Sequence, residues 1–328
     1  MAFIGNKKIA NLEIQDYVIR YAEVKSKKNP VVTHIDEHYL PRDIISNGKV
    51  KDPEGFLQQL KTCFRKWKLR GKSIRFIVPD SSVIIRTVDV PSDISDEELN
   101  GHIYFELGES IHLPFENPVV DAVNLGVEGN QKKVLVVASS EETVDTYYDY
   151  FKDERGNPEV ADISPLCQYR LYHHYGKTND RDIYLLVQYN VKYVMVSIFD
   201  HHKPVFVQNV EIPYPENTWK AVPIQEENSL TREHLDRGHV YTAFDEIYIE
   251  IERILRFFQF TLHGGDKQIT NMLVTGDHPY LADLMEQTRE RINLPAQLLA
   301  PDQLKTIQEI DITPKFYNVI GLAMKEGD

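Results

Sequence analysis

Two strand pairs constrain this chain more than anything else in it. Ile9–Ile14 with Val18–Val24, and Ile183–Tyr189 with Tyr193–Phe199, are runs of β-branched and aromatic residues joined by short polar connections. Each pair opens a stretch in which strands alternate with helices. An extended run over Pro30–His38 follows the first pair. A helix then begins at Asp52-Pro53, with Asp as N-cap and Pro at the first position. Phe56, Leu60, Phe64 and Trp67 give it one apolar stripe, Gly71 ends it, and Ile74–Val78 resumes the sheet. The second pair is followed by a strand over Pro204–Val210 and a polar, proline-punctuated stretch from Pro213 to Arg237, read as an extended connection or short helices. The strongest helical stripe comes next: Phe244, Ile247, Tyr248, Ile251, Ile254, Leu255, Phe258 and Leu262, closed by Gly264-Gly265. A strand over Ile269–Val274, a helix over Pro279–Ile292 and a short helix over Phe316–Met324 complete the chain. With 328 residues, about two domains of ~150 residues are expected.

Between these halves lies a unit with its own logic. Val83–Val88 reads as a strand closed by Pro91. Ser95-Asp96-Glu97-Glu98 has the form of a capping box ahead of Leu99, Ile103, Leu107 and Ile111, which recur every four residues on one helix face until Pro114. Strands over Val119–Leu125 and Lys133–Ala138 follow, so the unit is a small α+β subdomain. A helix over Thr143–Lys152 carries Tyr147, Tyr148 and Tyr150.

Bulk properties exclude several functions. A net charge of −13 argues against nucleic acid and against adsorption to anionic lipid, because both need an excess of Lys and Arg on some face. The densest basic cluster, Lys61 to Lys72, reads as a solvated helix face. Met1–Lys8 lacks the apolar core of a signal peptide, and no apolar run reaches roughly 18 residues. Two cysteines, Cys63 and Cys167, make no disulfide framework and point to a reducing cytoplasm.

Local motifs exclude more. His34-Ile35-Asp36-Glu37-His38 matches a zinc-binding pattern, but its context is a strand. Residues four apart on a strand are ~13 Å apart, too far to share one metal, so no metal site is expected. His173-His174 and His201-His202 read as surface or turn histidines. No Gly-x-x-x-x-Gly-Lys loop, Gly-x-Gly-x-x-Gly or Gly-x-Ser-x-Gly occurs.

The order of elements, with several local phrases, resembles the type IV pilus assembly protein PilM, an actin-like relative of FtsA. The phrases are Val88-Asp89-Val90-Pro91, His112-Leu113-Pro114-Phe115-Glu116, Val119-Val120-Asp121-Ala122-Val123, Pro158 to Leu166, Glu252 to Phe258 and Tyr317 to Met324. The resemblance spans nearly the whole chain. It implies an α/β, actin-like (ribonuclease-H-like) two-domain fold with an inserted small α+β subdomain. Residues 1–78 and 141–179 would form the first half, 79–140 the insert, and 180–328 a second half with a reduced outer subdomain.

The resemblance also says where a nucleotide would be held, and there the chain departs from it. Family members commonly carry Asp-x-Gly, small residues and a Lys in the first hairpin; here Glu13, Gln15, Asp16 and Arg20 occupy that stretch. The second hairpin has Gln188 and Asn190 for Asp and Gly, and Gly276-Asp277 keeps one glycine of an expected pair. Side chains at Gln15 and Asn190 crowd the backbone approach to phosphate that glycine permits. Losing the aspartates removes handles for a metal-bound water. The expectation is therefore no enzyme and no required cofactor, ATP with magnesium being the alternative. By resemblance the chain would be a cytoplasmic adaptor of pilus assembly, held at the inner face of the membrane by the N-terminal tail of a PilN-like single-span protein, without inserting itself. The family's tail groove involves the inserted subdomain, where Val83, Ile85, Tyr104 and Phe105 are the candidate contacts. An ATP-responsive switch is the second reading, and a sugar-kinase-like enzyme the third.

Overall fold

The computed structural model describes residues 9–26, 30–214, 219–223, 228–232, 237–300, 304–307 and 312–326, with backbone alone at 219–223, 228–232, 237, 239 and 305. The first sheet is built from β1 (Ile9–Gln15), β2 (Val18–Lys25) and β3 (Val31–Tyr39), an antiparallel meander. A small hairpin, β4 (Ile45–Ser46) and β5 (Lys49–Val50), leads to helix α1 (Pro53–Lys66). Asp52 caps α1 as its sequence predicts, accepting the Gly55 amide at 3.0 Å. Strand β6 (Ser73–Ile77) then joins β1 in parallel.

The chain leaves this sheet through β7 (Val83–Pro91), α2 (Leu99–Glu106), β8 (Pro118–Glu128) and β9 (Gln131–Ser140). These strands form a separate antiparallel sheet in the order β7-β9-β8, with α2 on one face. The chain returns through α3 (Glu141–Asp153), β10 (Asn157–Asp162) beside β6, and α4 (Ser164–His174).

The second large sheet repeats the plan. Strands β11 (Tyr184–Tyr189), β12 (Tyr193–Asp200) and β13 (Lys203–Glu211) form a meander. A backbone hairpin, β14 (Trp219–Pro223) with β15 (Asn228–Arg232), precedes α5 (Arg237–Arg256). The extended alternative thus holds for the described part of Pro213 to Arg237; the remainder lies outside the described residues. Then come β16 (Asn271–Gly276), α6 (Leu281–Ile292), β17 (Ala296–Leu298), β18 (Lys305–Thr306) and α7 (Tyr317–Ala323). The orders β3-β2-β1-β6-β10 and β13-β12-β11-β16-β17 correspond strand for strand: a meander whose first strand takes a parallel neighbour, which takes another. Strand β18 adds an edge to the first sheet.

Three apolar cores follow from this plan. Helices α1 and α3 cover one face of the first sheet, and α5 and α6 one face of the second. Between the sheets, α4 and α7 place Leu171, Tyr172, Tyr317 and Ile320 against Ala22 and Val32 on one side and Leu186 and Leu273 on the other. This shared core joins the halves. The two helices approach so closely that a Cβ on Gly321 would lie 1.9 Å from the Cys167 carbonyl oxygen.

Two local expectations are corrected. The helix predicted from Leu99 past Ile111 stops at Glu106, because the chain turns at Gly108 (φ +84°) and folds back so that Gly108 N–H donates to Ile111 O. Ile111 still reaches the same core as Leu99 and Ile103, which is why the four-residue recurrence misleads. At the capping box, Glu98 does accept the Ser95 amide (3.1 Å), but the Ser95 hydroxyl donates to Glu98 instead of capping, and the helix starts only at Leu99. His173 and His174 are exposed in the last turn of α4, and His201-His202 form the turn between β12 and β13, as expected of surface or turn histidines.

Candidate functional site

Sheet register assembles the site. Glu13 on β1 pairs across to Arg20 on β2, and Arg20 to Glu37 on β3. One row of the first sheet therefore reads carboxylate, guanidinium, carboxylate. The Arg20 side chain runs into the space between the halves, where Asp277, at the end of β16, accepts from its Nη2 at 2.5 Å. Nε lies 3.3 Å from Glu37 and Nη1 3.5 Å from Glu13. Arg20 is only 1 % exposed. A guanidinium taken out of water at this depth persists as a cation only where carboxylates surround it. Burial works against its charge, but Asp277, Glu13 and Glu37 outweigh burial and keep its pKa well above the usual arginine range.

The neighbours complete a polar zip across the cleft. Tyr17 donates to Asp277 (2.6 Å), and burial together with that carboxylate holds the phenol neutral. Gln15 Nε2 and Asn318 Nδ2 both donate to Glu13 Oε1, at 2.7 and 2.5 Å. Burial raises the Glu13 pKa, against Arg20, Asn318 and Gln15, which favour the carboxylate. On the other hairpin, Gln188 accepts from Gln168 (2.6 Å) and donates to Asn190 (2.9 Å). Lys315 reaches Glu37 at 2.6 Å from the rim. These side chains close on one another and leave no volume that a water-sized guest could enter.

Beside this filled cleft, at the tips of the two hairpins, is an open cavity of about 360 Å³ lined by Asp16, Asn47, Asp80, Lys192, Tyr193 and Glu211, among others. Asp16 is spent on structure here: its carboxylate accepts the Asn47 and Gly48 amides at 2.8 and 2.9 Å. Asp80 is buried, accepts from Ser164 (2.6 Å) and Tyr193 (3.0 Å), and is pushed by burial up to about 7.

Residues 11–212 match the model of the family described as type IV pilus assembly protein PilM. The chain belongs to the PilM family. Among solved structures, the PilM-PilN type IV pilus biogenesis complex matches with a TM-score of 0.77 at 20% identity, covering 97% of this chain and 98% of that one. MreB5 of Spiroplasma citri bound to ADP matches with a TM-score of 0.50 at 9% identity, over 96% and 95% of the two chains. At these identities the likeness is one of fold: actin-like. No curated protein matches by sequence.

An actin-like fold implies a nucleotide between its halves, and the residues of this PilM-family chain do not fit one. A phosphate chain needs donors and close backbone approach. The cleft offers three carboxylates, Glu13, Glu37 and Asp277, and its central cation is already bound by all three. Gln15, Gln188 and Asn190 fill the places where glycine and aspartate were expected. Gly276 does keep a glycine's backbone (φ +128°), but a Cβ there would lie 2.0 Å from Tyr189 O, so the glycine serves the β16–β11 contact. Among the described residues no three His, Cys, Asp or Glu side chains converge as a metal group.

Thus the first-hairpin, second-hairpin and Gly276–Asp277 positions come together, with Asp16 set apart at the neighbouring cavity. Sequence reasoning missed Tyr17, Glu37, Gln168 and Asn318. A polar residue inside an otherwise apolar run was a visible signal at Asn318, in Phe316-Tyr317-Asn318-Val319-Ile320; Glu37 stood among polar residues and was read as part of a metal pattern. The four inserted-subdomain candidates do not form one surface. Val83 and Ile85 face the first half and are buried in its core, whereas Tyr104 and Phe105 lie on α2, across the sheet, 46% and 76% exposed. Tyr104 accepts the Val120 amide and Asn100 the Ala122 amide, so α2 side chains protect the edge of β8 from strand addition.

Proposed function

We propose that this PilM-family chain is a non-catalytic cytoplasmic adaptor of pilus assembly, which holds the N-terminal tail of a PilN-like single-span membrane protein. Residues 9–78 with 141–179 serve as one half, 180–326 as the other, and 79–140 as the tail-binding insert. One observation carries this reading. Val83, Ser139 and Val119 stand in one cross-strand row, and Thr87, Leu135 and Val123 in another, on the same face of the inserted sheet. Val83 and Leu135 are buried in the core of the first half, but Val119 and Val123 remain 40% and 42% exposed on that face. These two valines, with Asp121 exposed between them on the same face, extend that core outward as the floor of a groove that an extended segment can fill. Because the β8 edge is covered by Tyr104 and Asn100, side chains rather than added strand hydrogen bonds would give most of the affinity. The complex with PilN among its structural neighbours supports the choice of partner. Among the described residues no helix is long and apolar enough to cross a membrane, in keeping with attachment through a partner.

The test is binding of a fluorescent tail peptide to wild type and to Val119→Asp/Val123→Asp. The groove reading expects saturable binding that the double substitution abolishes while the fold is retained. Equal binding by both proteins would place the tail elsewhere.

A further inference from the structure

We infer that Arg20 takes the place of a nucleotide as the bridge between the two halves, so that this protein is closed without any ligand. In an actin-like cleft an anion held by both halves draws them together. Here the polarity is reversed. The first half presents Arg20 from the middle strand of its meander, and the second half presents Asp277 from the end of β16, separated by 257 positions in sequence and 2.5 Å in space. Each accounts for the other: the guanidinium supplies the charge that a buried Asp277 needs, and Asp277 completes the set of carboxylates begun by Glu13 and Glu37. Either residue alone would bury a charge with too few partners.

The surrounding contacts make the bridge bipartite. Tyr17 of the first half donates to the same Asp277 oxygen, and Val191 of the second half donates its amide to Tyr17 Oη at 3.4 Å. Gln168 on α4 meets Gln188 on β11. Glu13 and Glu37 flank the guanidinium within its own sheet and fix its direction, so the arginine is aimed at Asp277 before the halves meet. A guanidinium is planar and presents its donors in a fixed fork, which suits this role better than a lysine. Closure is therefore a property of the sequence, and partner binding needs no nucleotide to prepare it.

The test is a distance between spin labels on the full chain, one at Arg65 on α1 and one at Glu290 on α6, both exposed. The two native cysteines are buried. For the protein with Arg20 intact, one narrow distribution is expected, unchanged by saturating magnesium-ATP. Arg20→Met and Asp277→Asn should each broaden or lengthen it, and Arg20→Lys should fall between. If Arg20→Met does not fold, Asp277→Asn, which keeps the shape of its side chain, decides alone. A distribution that shifts with magnesium-ATP in the parent, or one that Asp277→Asn leaves untouched, would overturn the inference. Neither result bears on the tail groove, which is measured separately.

Discussion

Arg20 and Asp277 form a buried ion pair that spans the cleft between the two halves, where an actin-like protein would keep its nucleotide. A pair this deep is costly to break from one side only, because the surviving charges stay buried. Arg20→Ala leaves Glu13, Glu37 and Asp277 facing one another and should cost about 3–5 kcal/mol in urea unfolding. Asp277→Asn should cost less, since Glu13 and Glu37 still hold the guanidinium. In a double-mutant cycle the two losses should be strongly non-additive. Additive losses would mean the pair is incidental.

Asp80 predicts a pH dependence with a definite sign. In the unfolded chain its carboxyl ionises near ~4; in the fold, burial lifts it to about 7 although the Ser164 and Tyr193 hydroxyls favour ionisation. Between those values the folded protein holds a proton that the unfolded chain has released. This group's contribution is thus fullest below the unfolded value and is lost as pH rises through about 7. Asp80→Asn, neutral throughout, should flatten the fall in urea midpoint across that window. An unchanged slope would remove Asp80 from the account.

How much of this could be read from the sequence depends on distance along the chain. The meanders were legible because β-branched runs such as Val18–Val24 and Tyr193–Phe199 sit beside their partners, and α1 because Asp52-Pro53 is a local signal. The true end of α2 was not, since Ile111 recurs with helical spacing yet reaches the core from a reversed turn. Glu13, Gln15, Arg20, Gln188, Asn190 and Asp277 stood out as departures from a family pattern. That they answer one another was hidden, because it depends on the register of three strands and on a contact across 257 positions. A single chain shows that a glycine is missing more readily than what has filled its place.

The core shared by the halves makes its own prediction. Gly321 on α7 lies against the backbone of Cys167 on α4, which a side chain cannot displace without moving a helix. Gly321→Ala should destabilise by about 3 kcal/mol or lose the fold, at the upper end of overpacking effects. A change in melting temperature within error would show that α4 and α7 can separate freely.

In the groove proposed for the tail, Val123→Asp should weaken peptide binding by about 2 kcal/mol or more, as a central apolar contact does. The side chain is 42% exposed, so its effect on unfolding should be small. Phe105→Ala, on the far side of the sheet, should leave tail affinity unchanged. A larger loss at Phe105 than at Val123 would move the partner to the α2 face.

Thermal unfolding of the protein over a magnesium-ATP titration shows whether the cleft holds its own arginine in place of a nucleotide. A ligand at a hundredfold excess over its dissociation constant adds about 2.7 kcal/mol to the folded state. No saturable shift beyond that given by magnesium with inorganic phosphate is expected. A saturable shift of that size with ATP would contradict the arginine-filled cleft.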